Sequence, residues 1–150
     1  MRAHWPGYNA ASLGPLGRLR GKVLPLHTPN RQKEAAVGLQ MAIRQSGDVT
    51  ILDLQGRVTI GLGNDLFNSK LRQVVEGGSR KVLVNLGGTT QIDSSGISTI
   101  VRTFVTLERG GGSLKLLSPK GRVRDVLEVT RLLSTIPSFD DEAKALASFR

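Results

Sequence analysis

The sequence predicts an α/β fold in which a mixed sheet of four to five strands has about four helices packed against it. Short β-branched and apolar runs alternate with segments of helical period, Gly-containing clusters punctuate the joins, and the first two strand runs are separated only by the turn signal Ser46-Gly47-Asp48. A hairpin followed by strand and helix units, with no internal repeat, gives such a sheet and assigns residues 41–150 to one domain.

In chain order, residues 42–45 and 48–55 read as a hairpin, because Val49-Thr50-Ile51-Leu52-Asp53-Leu54 is a strongly β-forming run. Gly56 is expected to break the second strand. Leu66, Phe67, Leu71, Val74 and Val75 fall on one side of a helical projection over residues 64–76, and Gly77-Gly78 supplies the stop. Residues 81–86 are apolar on both faces, as in a central strand covered on both sides.

A helix over 97–107 follows from Ile97, Ile100, Val101, Phe104 and Leu107, with Ser98, Arg102, Glu108 and Arg109 left wet and Gly110-Gly111-Gly112 ending it. Residues 114–117 form the next strand, and 122–131 a helix with Val123, Val126, Leu127 and Thr130 inward. Residues 135–138 are a short edge strand, since Pro137 cannot donate to a neighbour. Asp140 caps a last helix with Asp141 and Glu142 in its first turn and Ala143, Leu146, Ala147 and Phe149 toward the core.

The first 40 residues are a different kind of polymer. They hold four of the six prolines, repeated glycines and six basic residues against Glu34 alone, so +5 of the +9 net charge sits there and +4 on the other 110 residues. A disordered basic tail and a start site placed too early, with Met41 as the true start, both fit this composition. A transit peptide fits poorly, because Ser12 is the tail's one serine.

Composition also excludes function classes. The chain has no Cys, so it can build neither a disulfide framework nor a thiolate metal site, which suits a reducing cytoplasm. Both histidines, His4 and His27, lie in the tail, which removes the commonest general base and metal ligand from the domain. Gly61-Leu62-Gly63 and Gly110-Gly111-Gly112 lack the Lys-Ser/Thr ending of a phosphate-cradling loop. No catalytic residue, metal site or cofactor is therefore assigned.

No apolar run reaches the roughly 20 residues of a membrane span. Nucleic-acid binding is not expected either. Arg124 and Arg131 share a helical face that Arg122 does not, and Trp5 and Tyr8 lie in the tail, leaving no stacking platform.

The informative stretch is Ile92-Asp93-Ser94-Ser95-Gly96, read as the passage from a strand through a loop into a helix whose first turn carries two hydroxyls beside a carboxylate. On these residues alone two readings stand. Asp and Ser before an apolar run are ordinary N-cap chemistry. A helix start also offers unpaired N–H groups and about half a positive charge, where a phosphate on Ser94 or Ser95 would be tolerated.

Asp93-Ser94-Ser95-Gly96-Ile97, with Val82-Leu83-Val84-Asn85-Leu86 before it and Gly111-Gly112-Ser113-Leu114-Lys115-Leu116 after it, closely resembles the STAS family, the domain of bacterial anti-sigma factor antagonists and of sulphate-transporter tails. The resemblance extends from residue 41 to 149 and includes Arg122-Val123-Arg124-Asp125-Val126-Leu127 and Phe139-Asp140-Asp141-Glu142-Ala143.

What this resemblance implies is specific. The unphosphorylated protein would seize an anti-sigma factor with a histidine-kinase-like ATPase fold and free its sigma factor. That partner would phosphorylate Ser94, or as second choice Ser95, and a metal-dependent phosphatase of the PP2C type would reverse the step. Partner contacts fall on Asp93, Ser94, Ser95, Gly96 and Thr59. Thr59 stands where many family members carry an acid, so the contact there must differ. The ATP and magnesium would belong to the partner. A scaffold subunit of a stress-sensing complex, or an accessory of a lipid transporter, is the alternative role within the family.

Overall fold

The computed structural model describes residues 38–149. The stretch assigned to a basic tail or an early start, residues 1–40, lies outside the described residues apart from its last three.

Strands β1 (Leu39–Ser46) and β2 (Val49–Val58) form the expected hairpin, paired antiparallel from Leu39 with Gly56 to Ser46 with Val49. Then come α1 (Leu62–Glu76), β3 (Lys81–Ile92), α2 (Ser94–Arg109), β4 (Ser113–Leu117), α3 (Gly121–Val129), a 3-10 turn (Leu132–Ser134), β5 (Ser138–Phe139) and α4 (Glu142–Ala147). The five strands lie in the order β1-β2-β3-β4-β5, with every pair beyond the hairpin parallel.

Side-chain alternation divides the sheet between two cores. Leu52 and Leu54 of β2, Val82, Val84 and Leu86 of β3, and Leu114 and Leu116 of β4 pack under Phe67 and Leu71 of α1, Ile100 and Leu107 of α2, and Val123 and Leu127 of α3. Val49, Ile51, Leu83 and Leu117 face the other way and are covered by Ala145 and Phe149 at the C-terminal end. Three helices thus cover one face and α4 alone serves the other, which explains why residues 81–86 read as apolar on both faces.

Several boundaries differ from the sequence reading. Gly56 does not end β2. Its φ of 112° carries the strand through a register shift, and a Cβ there would lie 1.9 Å from the Gly38 carbonyl oxygen. Glycine therefore permits close pairing instead of terminating it. β3 likewise continues beyond residue 86 to Ile92, because its Gly- and Thr-rich second half stays paired with Gln55 to Val58. No loop remains in the informative stretch, since Asp93 alone separates β3 from α2.

Helix α1 begins at Leu62 and not at residue 64. Thr130 is exposed and not inward; it closes α3, and its hydroxyl donates to the Val126 carbonyl at 2.8 Å. Pro137 precedes β5, where its carbonyl accepts the Leu116 N–H. Asp141, not Asp140, caps α4, accepting from the N–H groups of Ala143 and Lys144. That one-residue shift turns Ala145 into the core and leaves Ala143 and Ala147 exposed.

Candidate functional site

Asp93 organises the junction between β3 and α2. Its backbone is extended (φ −118°, ψ −171°), which is the N-cap conformation, and its carbonyl accepts the first helical bond from the Ile97 N–H. One carboxylate oxygen, Oδ1, accepts from the Ser95 N–H at 3.0 Å, the Gly96 N–H at 3.3 Å and the Ser95 hydroxyl at 2.5 Å. The other, Oδ2, accepts from the Ile60 N–H at 2.8 Å, across 33 residues of sequence. The Asp93 N–H in turn donates to the Val58 carbonyl.

Burial alone would push this carboxyl up. The bonds from the Ser95 hydroxyl and from the N–H groups of Ile60, Gly96 and Ser95 outweigh it and hold Asp93 below the usual carboxylate range. The capping reading of Asp93 is thus correct, and its carboxylate also ties the β2–α1 loop to the start of α2.

The two serines are thereby separated. Ser95 is half-buried and its hydroxyl is committed to Asp93. Ser94, the first helical residue, is exposed, and its hydroxyl has no protein partner among the described residues. An anion attached at Ser94 would sit at the positive end of the helix dipole with solvent around it.

Gly96 is buried for a steric reason. A Cβ there would approach Ile92 Cγ1 to 2.8 Å, Val58 Cγ1 to 2.9 Å and the Val58 carbonyl oxygen to 3.1 Å. The first turn of α2 therefore rests directly on the ends of β2 and β3. Thr99 adds a second tie: its buried hydroxyl donates to Asn64 Oδ1 at 2.9 Å, linking the second turn of α2 to the first turn of α1.

Thr59 lies at the same place, half-buried just before Ile60, and its carbonyl accepts the Asn64 N–H at the start of α1. All five residues singled out in the sequence, Thr59, Asp93, Ser94, Ser95 and Gly96, thus share one corner of the molecule. Two side chains at this corner were not singled out, namely Ile60 and Leu62, which are 81% and 57% exposed. Their signal was present in Val58-Thr59-Ile60-Gly61-Leu62-Gly63, where apolar residues interrupt a turn otherwise built of glycine.

Among the described residues no group of three His, Cys, Asp or Glu is placed to hold a metal, and no helix is long and apolar enough to cross a membrane.

A mixed sheet of this order is shared with known proteins. A family model for the STAS domain matches residues 40–145, and the chain belongs to that family. A protein of Bordetella bronchiseptica named as a candidate anti-sigma factor antagonist, BtrV, is 28% identical over 112 residues, covering 75% of this chain and 96% of that protein. The crystal structure of a candidate anti-sigma factor antagonist from Thermotoga maritima superposes with a TM-score of 0.67 at 24% identity, over 73% of this chain and 94% of that one. The Bacillus cell fate determinant SpoIIAA in its phosphorylated form superposes with a TM-score of 0.59 at 18% identity, over 74% of this chain and all of that one. These structures share the fold of the chain.

Proposed function

We propose that this protein is a cytoplasmic anti-sigma factor antagonist whose binding is switched by phosphorylation of Ser94. In the unphosphorylated state the corner around Asp93, Ser94, Ser95, Gly96 and Thr59 binds an anti-sigma factor of histidine-kinase-like ATPase fold, and the sigma factor goes free. That partner, with its own ATP and magnesium, transfers a phosphoryl group to Ser94, and a PP2C-type phosphatase removes it. The chain itself is not an enzyme in this scheme.

The observation that carries the reading is the contrast between the two serines. The Ser94 hydroxyl is exposed at the first position of α2, whereas the Ser95 hydroxyl is occupied by Asp93. Membership of the STAS family, the name of BtrV and the existence of SpoIIAA in a phosphorylated form support it.

The electrostatics agree. A phosphate adds about −1.5 to −2 charge, which the N-terminus of α2 tolerates. The same charge, next to the Asp93 carboxylate, repels an acidic partner surface and costs desolvation against an apolar one. Losing ~3 kcal/mol of interaction lowers affinity by about two orders of magnitude.

Incubation of the chain with the purified kinase-like anti-sigma factor and ATP, followed by peptide mass spectrometry across residues 82–102, should place the phosphate on Ser94. Ser94→Asp should keep the fold and lose the partner in a pull-down, while Ser94→Ala binds constitutively. Phosphate on Ser95 alone, or a Ser94→Asp variant that binds like wild type, refutes the assignment.

A further inference from the structure

We propose that Ile60 and Leu62 form the apolar half of the contact with the anti-sigma factor, a knob beside Ser94 that enters an apolar recess on that partner. The inference rests on the assignment of this corner as the partner-binding surface and adds its chemistry. Ile60 is 81% exposed and Leu62 57% exposed, and of the other large apolar side chains among the described residues only Val129, beyond the serine corner at the end of α3, stands out as far as Ile60. Two aliphatic side chains in water where the β2–α1 loop enters α1 forgo the burial that a partner would restore.

Their position is fixed relative to the serine. The Ile60 N–H donates to Asp93 Oδ2, so the loop that carries the knob is pinned to the residue before Ser94. The Thr99–Asn64 bond holds the first turn of α1 to the second turn of α2 two residues beyond Leu62. Residues 58–64 contain no ionisable side chain, so this half of the contact is made by desolvation and not by ion pairing. This also gives the switch its physical cause: a dianion on Ser94 would have to shed water at the margin of an apolar contact, which is unfavourable even against an uncharged partner surface.

The test is calorimetric titration of the unphosphorylated full chain with the purified histidine-kinase-like anti-sigma factor, comparing wild type, Ile60→Ser, Leu62→Ser and Ser94→Asp. Each knob variant should weaken binding about tenfold or more, with an unchanged melting temperature because both side chains are exposed. The ratio of wild-type to knob-variant affinity should change less than about threefold between low and high salt. Knob variants within about twofold of wild type overturn the proposal, as does a wild-type to knob-variant affinity ratio that collapses at high salt.

Sedimentation of the chain alone covers one further occupant. If wild type self-associates and Leu62→Ser does not, the knob serves a second copy and the proposal falls. Loss of binding by Ser94→Asp but not by the knob variants leaves the switch standing and removes the knob. The reverse pattern removes the switch and leaves the knob. A wild-type chain that does not bind the anti-sigma factor refutes both.

Discussion

Asp93 carries more of this corner than any other side chain, and its contribution can be separated by pH. Because its folded carboxyl lies below the ordinary range, the stability it adds is fully present above the unfolded value and is lost as pH falls through the folded one, below about pH 4. Asp93→Asn should therefore be less stable than wild type in urea near neutrality, and the gap should close on acidification; a gap independent of pH would deny the charge a role. Asp93→Ala should cost about 1 kcal/mol for the cap alone, in the same measurement. Gly96→Ala works against helix propensity, which favours Ala by about 1 kcal/mol. The added methyl meets Ile92, Val58 and the Val58 carbonyl inside ordinary contact distance, so net destabilisation of about 1–3 kcal/mol is expected. The sequence revealed Asp93 as a cap because capping is local chemistry. It could not reveal the bond to Ile60, which joins residues brought together only by the sheet, nor distinguish two adjacent hydroxyls that differ only in what Asp93 does with them.

At the scale of elements, the ends of the strands were the least legible feature. Apolar runs mark where a strand is buried, but β3 from Gly87 to Gln91 and β2 around Gly56 hold together through backbone pairing, which leaves no hydrophobic trace. The start of β1 was also missed: Leu39 is fully buried opposite Gly56 and the Arg57 N–H donates to the Gly38 carbonyl, ahead of Met41, but a single apolar residue makes no run. A chain beginning at Met41 forgoes both. Deleting residues 1–40 should lower the melting temperature relative to deleting 1–37, with a loss of about 2–4 kcal/mol by analogy with truncation of a buried Leu. Equal stability would show that the edge of β1 adds nothing. A second element depends on charge. Arg44 on β1 donates to both Asp53 on β2 and Glu142 at the start of α4, and these partners raise its pKa further above neutrality. The group is partly exposed, so its worth is modest. Arg44→Ala should leave global stability nearly unchanged while amide exchange rises selectively over α4.

For the whole molecule, the unequal covering of the two sheet faces decides how it fails. Three helices seal one face, whereas Val49, Ile51, Leu83 and Leu117 on the other depend on Ala145 and Phe149 from a six-residue helix and its end. So short a helix is not stable by itself and is held by what it docks on. Its attachments are few and identifiable. Lys115 on β4 donates to the Ser148 carbonyl and hydroxyl, its ammonium lies 4.6 Å from the centre of the Phe149 ring, and Arg44 reaches Glu142. Burial lowers the Lys115 pKa against the opposing pull of Glu108, so the ammonium is held there by its hydrogen bonds and by the ring at the expense of hydration. Removing residues 140–150 should leave the larger core folded, because none of its buried members lies in that segment, and uncover an apolar strip on the open face. Circular dichroism should retain the sheet and helix signal, a hydrophobic dye should bind where it does not bind wild type, and the truncated chain should associate at concentrations where the full chain does not. Phe149→Ala should show the same dye binding in weaker form. Cooperative loss of all structure on truncation would show instead that both faces form one folding unit, with α4 as necessary to the larger core as the helices that cover it.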